Sequence, residues 1–235
     1  MSPNQHISHE FDEELEQLKN QVLKMGGLVE KQVRSAISAL TRLDAIEGVE
    51  VCQNDHQVNT LEVGIDEACV HILARRQPAA NDLRMVIAVI KTITDLERIG
   101  DEAERIAKMA VRIAEEDGIF HNRYSGINHL ADHVQYMVHG SLNAFTRMDV
   151  DEAIVIKKAD KKVDEEYKLL MRSLITYMME DPRTISETLD VAQAARALER
   201  IGDHAKNICE YVIYLVHGKN IRHVNMEEVE QDLLK

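Results

Sequence analysis

The sequence predicts an all-α protein made of two tandem repeated three-helix bundles, with six long antiparallel helices in all. Aromatic residues make up only 4% of the 235 residues, Trp is absent, and there are three Pro. Strands favour aromatic and β-branched residues, and their turns favour Gly and Pro, so this composition favours helices. Long segments with apolar residues at helical spacing indicate the same class, and similarity between the two halves indicates the tandem arrangement.

Clusters of Gly, Pro, Asp or Asn divide the chain into six helical segments. Such residues end helices and start turns, and here they lie at residues 43–48, 76–82, 115–126, 147–152 and 179–184. The second and third segments each carry an apolar stripe, formed by Val51, Val58, Leu61, Ile65, Cys69 and Ile72 and by Leu96, Ile99, Ala103, Ile106, Ala110 and Ile113. Each stripe covers one face of a helix and predicts part of a core.

The two halves of the chain align with each other. The hexapeptide LERIGD at residues 96–101 recurs at residues 198–203, an offset of 102. Upstream, residues 29–44 match residues 134–149 at an offset of 105. Short connections make consecutive helices antiparallel neighbours, so each half is predicted to be one three-helix bundle. The predicted domains are a first repeat over 8–117, a second repeat over 125–218 and a polar C-terminal tail over 219–235.

Composition also limits the class of partner. The formal net charge of −13 argues against binding to nucleic acid or to anionic lipid, whose phosphates repel an acidic protein. The three Cys residues lack CxxC spacing and are interpreted as reduced thiols, at least two of them on apolar helix faces. The N-terminus is polar, and no stretch approaches the ~20 apolar residues of a membrane span. The sequence predicts a soluble, cytosolic protein.

Each copy of the hexapeptide carries two acids four positions apart, Glu97 with Asp101 and Glu199 with Asp203. Residues at this spacing lie one above the other on a helix face. On an isolated helix the two carboxylates repel each other by a few tenths of a kcal/mol, so a repeated pair indicates a compensating cation. The Arg that follows each Glu points about 100° further round the helix and is predicted to be poorly placed to neutralise both acids.

The second helix of each half carries a matching polar line, with Asp55 and Asn59 in the first half and Asp160 and Asp164 in the second. In an antiparallel bundle this helix is a neighbour of the hexapeptide helix, so the lines are predicted to face one another. Converging carboxylate and amide oxygens are ligands for Mg²⁺, Ca²⁺, Mn²⁺ or iron. The second site is expected to bind a cation more tightly than the first, because Asp164 takes the place of Asn59. The positive charge of Lys206 is expected to compete with the cation there.

The cation hypothesis has one alternative, and a bound cation could itself have either of two roles. The acids can be solvated faces of a strongly acidic protein, which a single ExxxD pattern would favour; the same order of motifs in both halves favours a cation site. A bound cation is expected to remove repulsion that otherwise splays the helices. It then either rigidifies the bundle alone or also binds an oxygen atom of a partner protein.

Motifs for familiar chemistry are absent from the sequence. There is no GxxxxGK[ST], GxGxxG, GxSxG or HExxH motif, and no Glu-x-x-His pair of the kind that di-iron carboxylate enzymes use. The sequence therefore predicts a non-enzymatic protein that acts by contact. The alternative is a metal-dependent hydrolase or oxidase at one of the acidic clusters.

The doubled hexapeptide and its surroundings resemble one known family. The segments RQPAANDLR, LERIGDEAERIA and LERIGDHAKNI, within two tandem three-helix units, closely resemble the PhoU family of bacterial phosphate-regulatory proteins from about Phe11 to Gly218. The resemblance implies a cytoplasmic, usually homodimeric protein that is a negative regulator of the phosphate-starvation response, the Pho regulon, and of phosphate uptake. It also implies two partners, the ATPase subunit of the phosphate ABC transporter and a membrane-bound sensor histidine kinase.

The resemblance further implies metal binding, by iron in some family members and by Mg²⁺ or Mn²⁺ in others. Carried over by motif position, the implied ligands are Asp55, Asn59, Glu97 and Asp101 in the first half and Asp160, Asp164, Glu199 and Asp203 in the second. Asn59 departs from the acidic pattern of the family, which bears on occupancy of the first site.

Overall fold

The computed structural model describes residues 9–115, 124–219 and 221. Along these residues run α1 (His9–Arg42), α2 (Ala45–Asn54), α3 (His56–Arg76), α4 (Ala80–Glu115), α5 (Gly126–Arg147), α6 (Val150–Glu180), a 3-10 turn (Pro182–Thr184) and α7 (Ile185–His217). The described part of the chain contains no strand, and the predicted all-α class is confirmed. The predicted tail over 219–235 falls outside the described residues, apart from Lys219 and Ile221.

The second predicted helix is divided at Asp55 into α2 and α3. The backbone of Asp55 keeps helical dihedral angles, with φ −56° and ψ −37°, and its carbonyl oxygen accepts a hydrogen bond from the Val58 amide at 2.9 Å. The apolar periodicity therefore continues across the division, which is why the sequence predicts a single helix. The corresponding helix of the second repeat, α6, runs undivided over Val150–Glu180.

The corner that ends the first helix of each repeat is built twice in the same way. Leu43 and Met148 adopt positive φ angles of 52° and 54°, the left-handed conformation that commonly closes a helix. The residue after each of them, Asp44 or Asp149, accepts a hydrogen bond from a backbone amide three residues on, at 3.0 Å in both corners. This is the N-cap of the next helix. The repeated sequences TRLD and TRMD thus make the same antiparallel turn.

Helices α4 and α7 form the centre of the molecule. Helix α4 packs against α1, α2 and α3, helix α7 packs against α5 and α6, and the two central helices pack against each other. The whole apolar stripe predicted for α4 is buried, from Leu96 to Ile113. Burial of this surface is the main force that holds each bundle together. None of the described helices has a stretch long and apolar enough to cross a membrane.

The cysteines are free thiols, as predicted. Cys69 and Cys209 are fully buried in the core, and Cys52 is partly buried. Burial, with the nearby charge of Asp66, raises the pKa of the Cys69 thiol to about 12. A thiol with such a pKa is protonated near neutral pH and behaves as a small apolar side chain.

A buried polar network joins the two repeats. Asp95 of α4 is only 7% exposed, and its Oδ1 lies 2.7 Å from Nδ1 of His204 and accepts a hydrogen bond from the Asn207 amide at 3.1 Å. Its Oδ2 accepts a hydrogen bond from the Tyr211 hydroxyl at 2.7 Å. All three partners lie on α7, so one carboxylate of the first repeat is held by the second. Spacing alone did not reveal this network.

Two ion pairs extend the same contact. Arg200 of α7 lies 2.8 Å from Glu102 of α4, and Arg112 of α4 lies 2.9 Å from Asp190 of α7. Partner numbers on α7 fall as those on α4 rise, so the central helices are antiparallel. Both acids are buried, and these pairs therefore help to define how the two helices align.

Asp95→Ala is expected to lower the free energy of unfolding by about 3 kcal/mol, because it removes the buried acceptor that three α7 side chains share. Urea denaturation followed by circular dichroism measures the change. Asp132→Ala, at an exposed acid of α5, is the control and is expected to stay within about 0.5 kcal/mol of the unmodified protein. Equal losses in the two variants would show that the network does not stabilise the contact between the repeats.

Candidate functional site

The eight predicted ligand residues form two groups in the structure, one in each repeat. The first cluster lies where α3 and its junction with α2 pack against α4, and consists of Asp55, Asn59, Glu97 and Asp101. The second cluster lies between α6 and α7, and consists of Asp160, Asp164, Glu199 and Asp203. The charges of facing helices act on each other in both clusters, Asp55 on Asp101 and Asp160 on Glu199.

Asp55 is the buried centre of the first cluster, with an exposed fraction of 8%. Its Oδ1 accepts a hydrogen bond from the side-chain amide of Gln32 in α1 at 2.8 Å, and its Oδ2 accepts one from the Asn59 amide at 3.1 Å. Sequence reasoning missed Gln32. The signal that could have revealed it is a polar residue on the apolar face of α1, beside the buried Val29 and Val33.

The other acids of the first cluster repel one another. Burial, followed by the charge of Asp101, raises the pKa of Glu97; burial, followed by the charge of Asp55, raises the pKa of Asp101. Arg98, expected to be poorly placed to neutralise both acids, contacts both, at 3.5 Å from Glu97 and 3.6 Å from Asp101. Its side chain is half exposed, and the pKa of each acid stays raised despite it. The cluster keeps an excess of negative charge.

The second cluster contains its own cation. The Nζ atom of Lys206 donates to Oδ2 of Asp160 at 2.7 Å and to Oδ1 of Asp203 at 2.8 Å. Burial by itself lowers the pKa of Lys206, but the hydrogen bonds to these two acids outweigh it and the net shift is upward. Burial raises the pKa of Asp160 in spite of the neighbouring ammonium group. Lys206, expected to be a competing charge, directly bridges α6 and α7.

Glu199 completes the second cluster at its other side. One of its carboxylate oxygens, Oε1, accepts a hydrogen bond from Arg196 at 2.7 Å. The other oxygen, Oε2, is buried and has no hydrogen-bond partner among the described residues. Burial is the largest cause that raises the pKa of Glu199, and Arg196 offsets it only in part. Arg200, the Arg of the hexapeptide, pairs instead with Glu102 of α4, in agreement with the expectation that it does not serve the acids beside it.

The glycine of each hexapeptide faces a neighbouring helix. A Cβ atom at Gly100 would lie 3.5 Å from both Gln32 Oε1 and Asp55 Oδ1, and one at Gly202 would lie 3.7 Å from the sulfur atom of Met137. Gln32 and Met137 occupy equivalent positions at the offset of 105. The two hexapeptides therefore lie in matching places, and the side chains that surround them differ.

These differences change the charge of the clusters. Glu104 of the first repeat corresponds to Lys206 of the second at the offset of 102, and Glu104 pairs with Lys108 of its own helix. Amides surround Asp55, whereas an ammonium group contacts Asp160. The two clusters thus differ in how their acids are contacted: Lys206 bridges two acids of facing helices in the second repeat, whereas in the first repeat Arg98 forms its described ion pairs only with acids of its own helix.

The donor chemistry of the first cluster suits a hard cation, since it offers oxygen ligands and an excess of negative charge. Within the part of the chain that the structure describes, however, no group of three or more His, Cys, Asp or Glu side chains is positioned to hold a metal ion. Binding at the first cluster therefore requires its side chains to draw together. In the second cluster Lys206 already supplies a positive charge. Metal binding stays a prediction for both.

Comparison with known proteins decides the family. A family model for the PhoU domain matches the chain twice, at residues 22–110 and 127–212. The chain belongs to the PhoU family. A phosphate-specific transport system accessory protein PhoU homolog from Pseudomonas putida is 50% identical over 228 residues, which cover 97% of this chain and 89% of the relative. The PhoU accessory protein of Escherichia coli K12 is 46% identical over 228 residues, covering 97% and 94%.

Two solved PhoU structures share the fold. The crystal structure of PhoU from Pseudomonas aeruginosa has a TM-score of 0.87 and 52% identity, and the match covers 89% of this chain and 100% of that one. The phosphate transport system regulatory protein PhoU from Streptococcus pneumoniae has a TM-score of 0.81 and 30% identity, with coverage of 89% and 98%. The PhoU resemblance stated from the doubled hexapeptide is confirmed.

Equivalent acids of the two hexapeptides are expected to respond oppositely to neutralisation when metal is removed by a chelator. Asp101→Asn should raise the free energy of unfolding by about 0.5 kcal/mol, because burial and the charge of Asp55 disfavour the Asp101 carboxylate more than its pair with Arg98 favours it. Asp203→Asn should lower it by about 0.5 kcal/mol, because Lys206 loses a partly exposed partner. Thermal unfolding of the two variants at neutral pH measures both shifts. Shifts of the same sign would contradict the charge difference between the clusters.

Proposed function

We propose that this PhoU-family protein is a negative regulator of the phosphate-starvation response and of phosphate uptake. The observation that carries the proposal is a likeness that extends over nearly the whole chain to proteins named accessory proteins of the phosphate-specific transport system. One solved relative is named a phosphate transport system regulatory protein. The protein acts by contact with other proteins and catalyses no reaction of its own.

The proposed partners are the ATPase subunit of the phosphate ABC transporter and the sensor histidine kinase of the phosphate response. The regulator works in the cytoplasm as a homodimer and meets the membrane only through these partners. Two features support a role as a connector. The repeats are tied together by the Asp95 network, and the α3–α4 and α6–α7 seams differ in their contacts, since among the described residues only the second is bridged by a lysine. One chain thereby offers two distinguishable surfaces.

A metal-dependent hydrolase or oxidase is the alternative. The names of the relatives favour the regulator, because they describe accessory and regulatory proteins. Turnover of a phosphoester or of O₂ by the pure protein, lost in Glu199→Gln, would decide for the enzyme.

The proposal includes a cation at the first cluster. Asp55, Glu97 and Asp101 supply carboxylate oxygens and Asn59 supplies an amide oxygen, the ligands that Mg²⁺, Mn²⁺ and iron prefer. When bound, the cation supplies positive charge between α3 and α4. The acids of these helices then attract it and no longer repel one another, so the cation holds the seam closed. The state of this seam is what a partner protein reads.

Deletion of the gene is expected to derepress phosphate-starvation genes in phosphate-rich medium, and the unmodified gene should restore repression. The double variant Glu97→Gln with Asp101→Asn is expected to restore it poorly, since it removes two of the three carboxylate charges of the first cluster while keeping its shape. Asp132→Asn, at an exposed acid of α5, is the matched control and should restore repression fully. Expression of a phosphate-starvation reporter is measured in the deletion strain and in the same strain carrying the unmodified gene, the double variant or the control. Unchanged expression after deletion would refute the regulatory role. Full repression by the double variant would show that the acids of the first cluster are not needed for that role.

Mn²⁺ is expected to stabilise the unmodified protein after chelator has been removed by dialysis. A ligand that binds only the folded state stabilises by about 2.7 kcal/mol at one hundred times its dissociation constant. The midpoint of thermal unfolding should therefore rise with Mn²⁺ concentration. The double variant Glu97→Gln with Asp101→Asn should lose most of this rise, whereas Asp132→Asn should keep it. The same rise in all three proteins would show that Mn²⁺ stabilises the protein by binding outside the first cluster.

A further inference from the structure

Lys206 occupies the position that a bridging ion would take in the second cluster. Its ammonium group lies 2.7 Å from a carboxylate oxygen of α6 and 2.8 Å from one of its own helix. Only about a quarter of the side chain is exposed. It therefore joins α6 to α7 through charge, as a cation bound between Asp160 and Asp203 would do.

A second lysine supports the same seam one turn away. The Nζ atom of Lys157 in α6 donates to Oε1 of Glu210 in α7 at 2.6 Å, and both side chains are at most 10% exposed. Their equivalents in the first repeat are Cys52 and Lys108; Lys108 pairs with Glu104 of its own helix. The α6–α7 seam thus uses two lysines that cross between helices, and the α3–α4 seam has no such lysine among its described contacts.

We infer that the ammonium group of Lys206 takes the place of a metal ion in the second cluster, so that divalent cations act on the first cluster alone. A divalent ion between Asp160 and Asp203 would lie beside this ammonium group and be repelled by it. The inference deepens the proposed cation binding of the first cluster and rests on that proposal. It also reverses the expectation from sequence that the second site binds more tightly, because Lys206 outweighs the gain of an acid at Asp164.

The second cluster retains ligands that removal of Lys206 would free. Asp160 and Asp203 would lose their shared donor, and Oε2 of Glu199 is already buried without a hydrogen-bond partner among the described residues. These oxygen ligands suit a hard cation once the competing charge is gone. The structure therefore assigns one residue, Lys206, the role of excluding metal.

Lys206→Gln tests this role directly. Mn²⁺ bound per chain is measured by elemental analysis after equilibrium dialysis, and the thermal midpoint is measured with and without Mn²⁺. The variant is expected to melt a few degrees lower than the unmodified protein in chelator, to bind one more Mn²⁺ per chain, and to recover the lost stability when Mn²⁺ is added. Lys157→Gln removes a lysine of the same seam without opening the cluster. It should melt lower but gain no Mn²⁺.

Two further variants complete the test. Glu104→Lys places a lysine at the equivalent position of the first repeat and is expected to weaken Mn²⁺ binding there at least tenfold. The pair Asp160→Asn with Glu199→Gln keeps Lys206 in place and should leave the Mn²⁺ content equal to that of the unmodified protein. This measurement applies even if Lys206→Gln does not fold.

The inference is overturned if Lys206→Gln folds and binds no additional Mn²⁺, or if the pair Asp160→Asn with Glu199→Gln loses Mn²⁺. An unmodified protein that binds no Mn²⁺, together with a Lys206→Gln variant that does, would refute the proposed cation at the first cluster and uphold the role of Lys206. The two proposals can therefore fail separately.

Discussion

The carboxylate of Asp95 is buried between the two central helices, where an isolated charge would be very costly. Its oxygens are held by three side chains of α7, and these contacts require one register of α4 against α7. A shift of one residue would turn the donors by about 100° away from the carboxylate. Asp95 directly precedes the first hexapeptide and His204 directly follows the second. The same interaction that joins the repeats therefore positions both hexapeptides.

Once α4 and α7 are positioned, the acids of each hexapeptide face an outer helix, α3 or α6, and the surroundings decide their electrostatics. In the first repeat, two neutral amides satisfy Asp55 and the remaining acids repel one another. In the second, one ammonium group joins Asp160 to Asp203. The same six residues thus occur in two different seams. Under the proposed function the α3–α4 seam depends on an added cation, whereas the α6–α7 seam has the ammonium group of Lys206 as its own cation. Under the proposed function, this difference offers one responsive surface and one constant surface to the two proposed partners.

Much of the fold could be predicted from sequence because it depends on local periodicity and on repetition. Apolar spacing placed the helices, and the repeated TRLD and TRMD corners and the doubled hexapeptide revealed two bundles. The division at Asp55 could not be predicted, since its backbone remains helical and the apolar pattern crosses it. The pairing of acids within each hexapeptide also follows from sequence, because residues four apart share a helix face.

The sequence by itself determined which acids lie together on each helix and which helices they belong to. Only the tertiary structure decided what contacts them from the neighbouring helices: Gln32 reaches Asp55 from α1, and Lys206 reaches Asp160 from α7. Each of these contacts depends on the distance between helices and on the direction that a long side chain takes, and neither follows from spacing along one helix. Gln32 and Asp95 stand out in the sequence as polar residues on apolar faces, but their partners lie 23 and about 110 residues away, so only the packed structure could identify them.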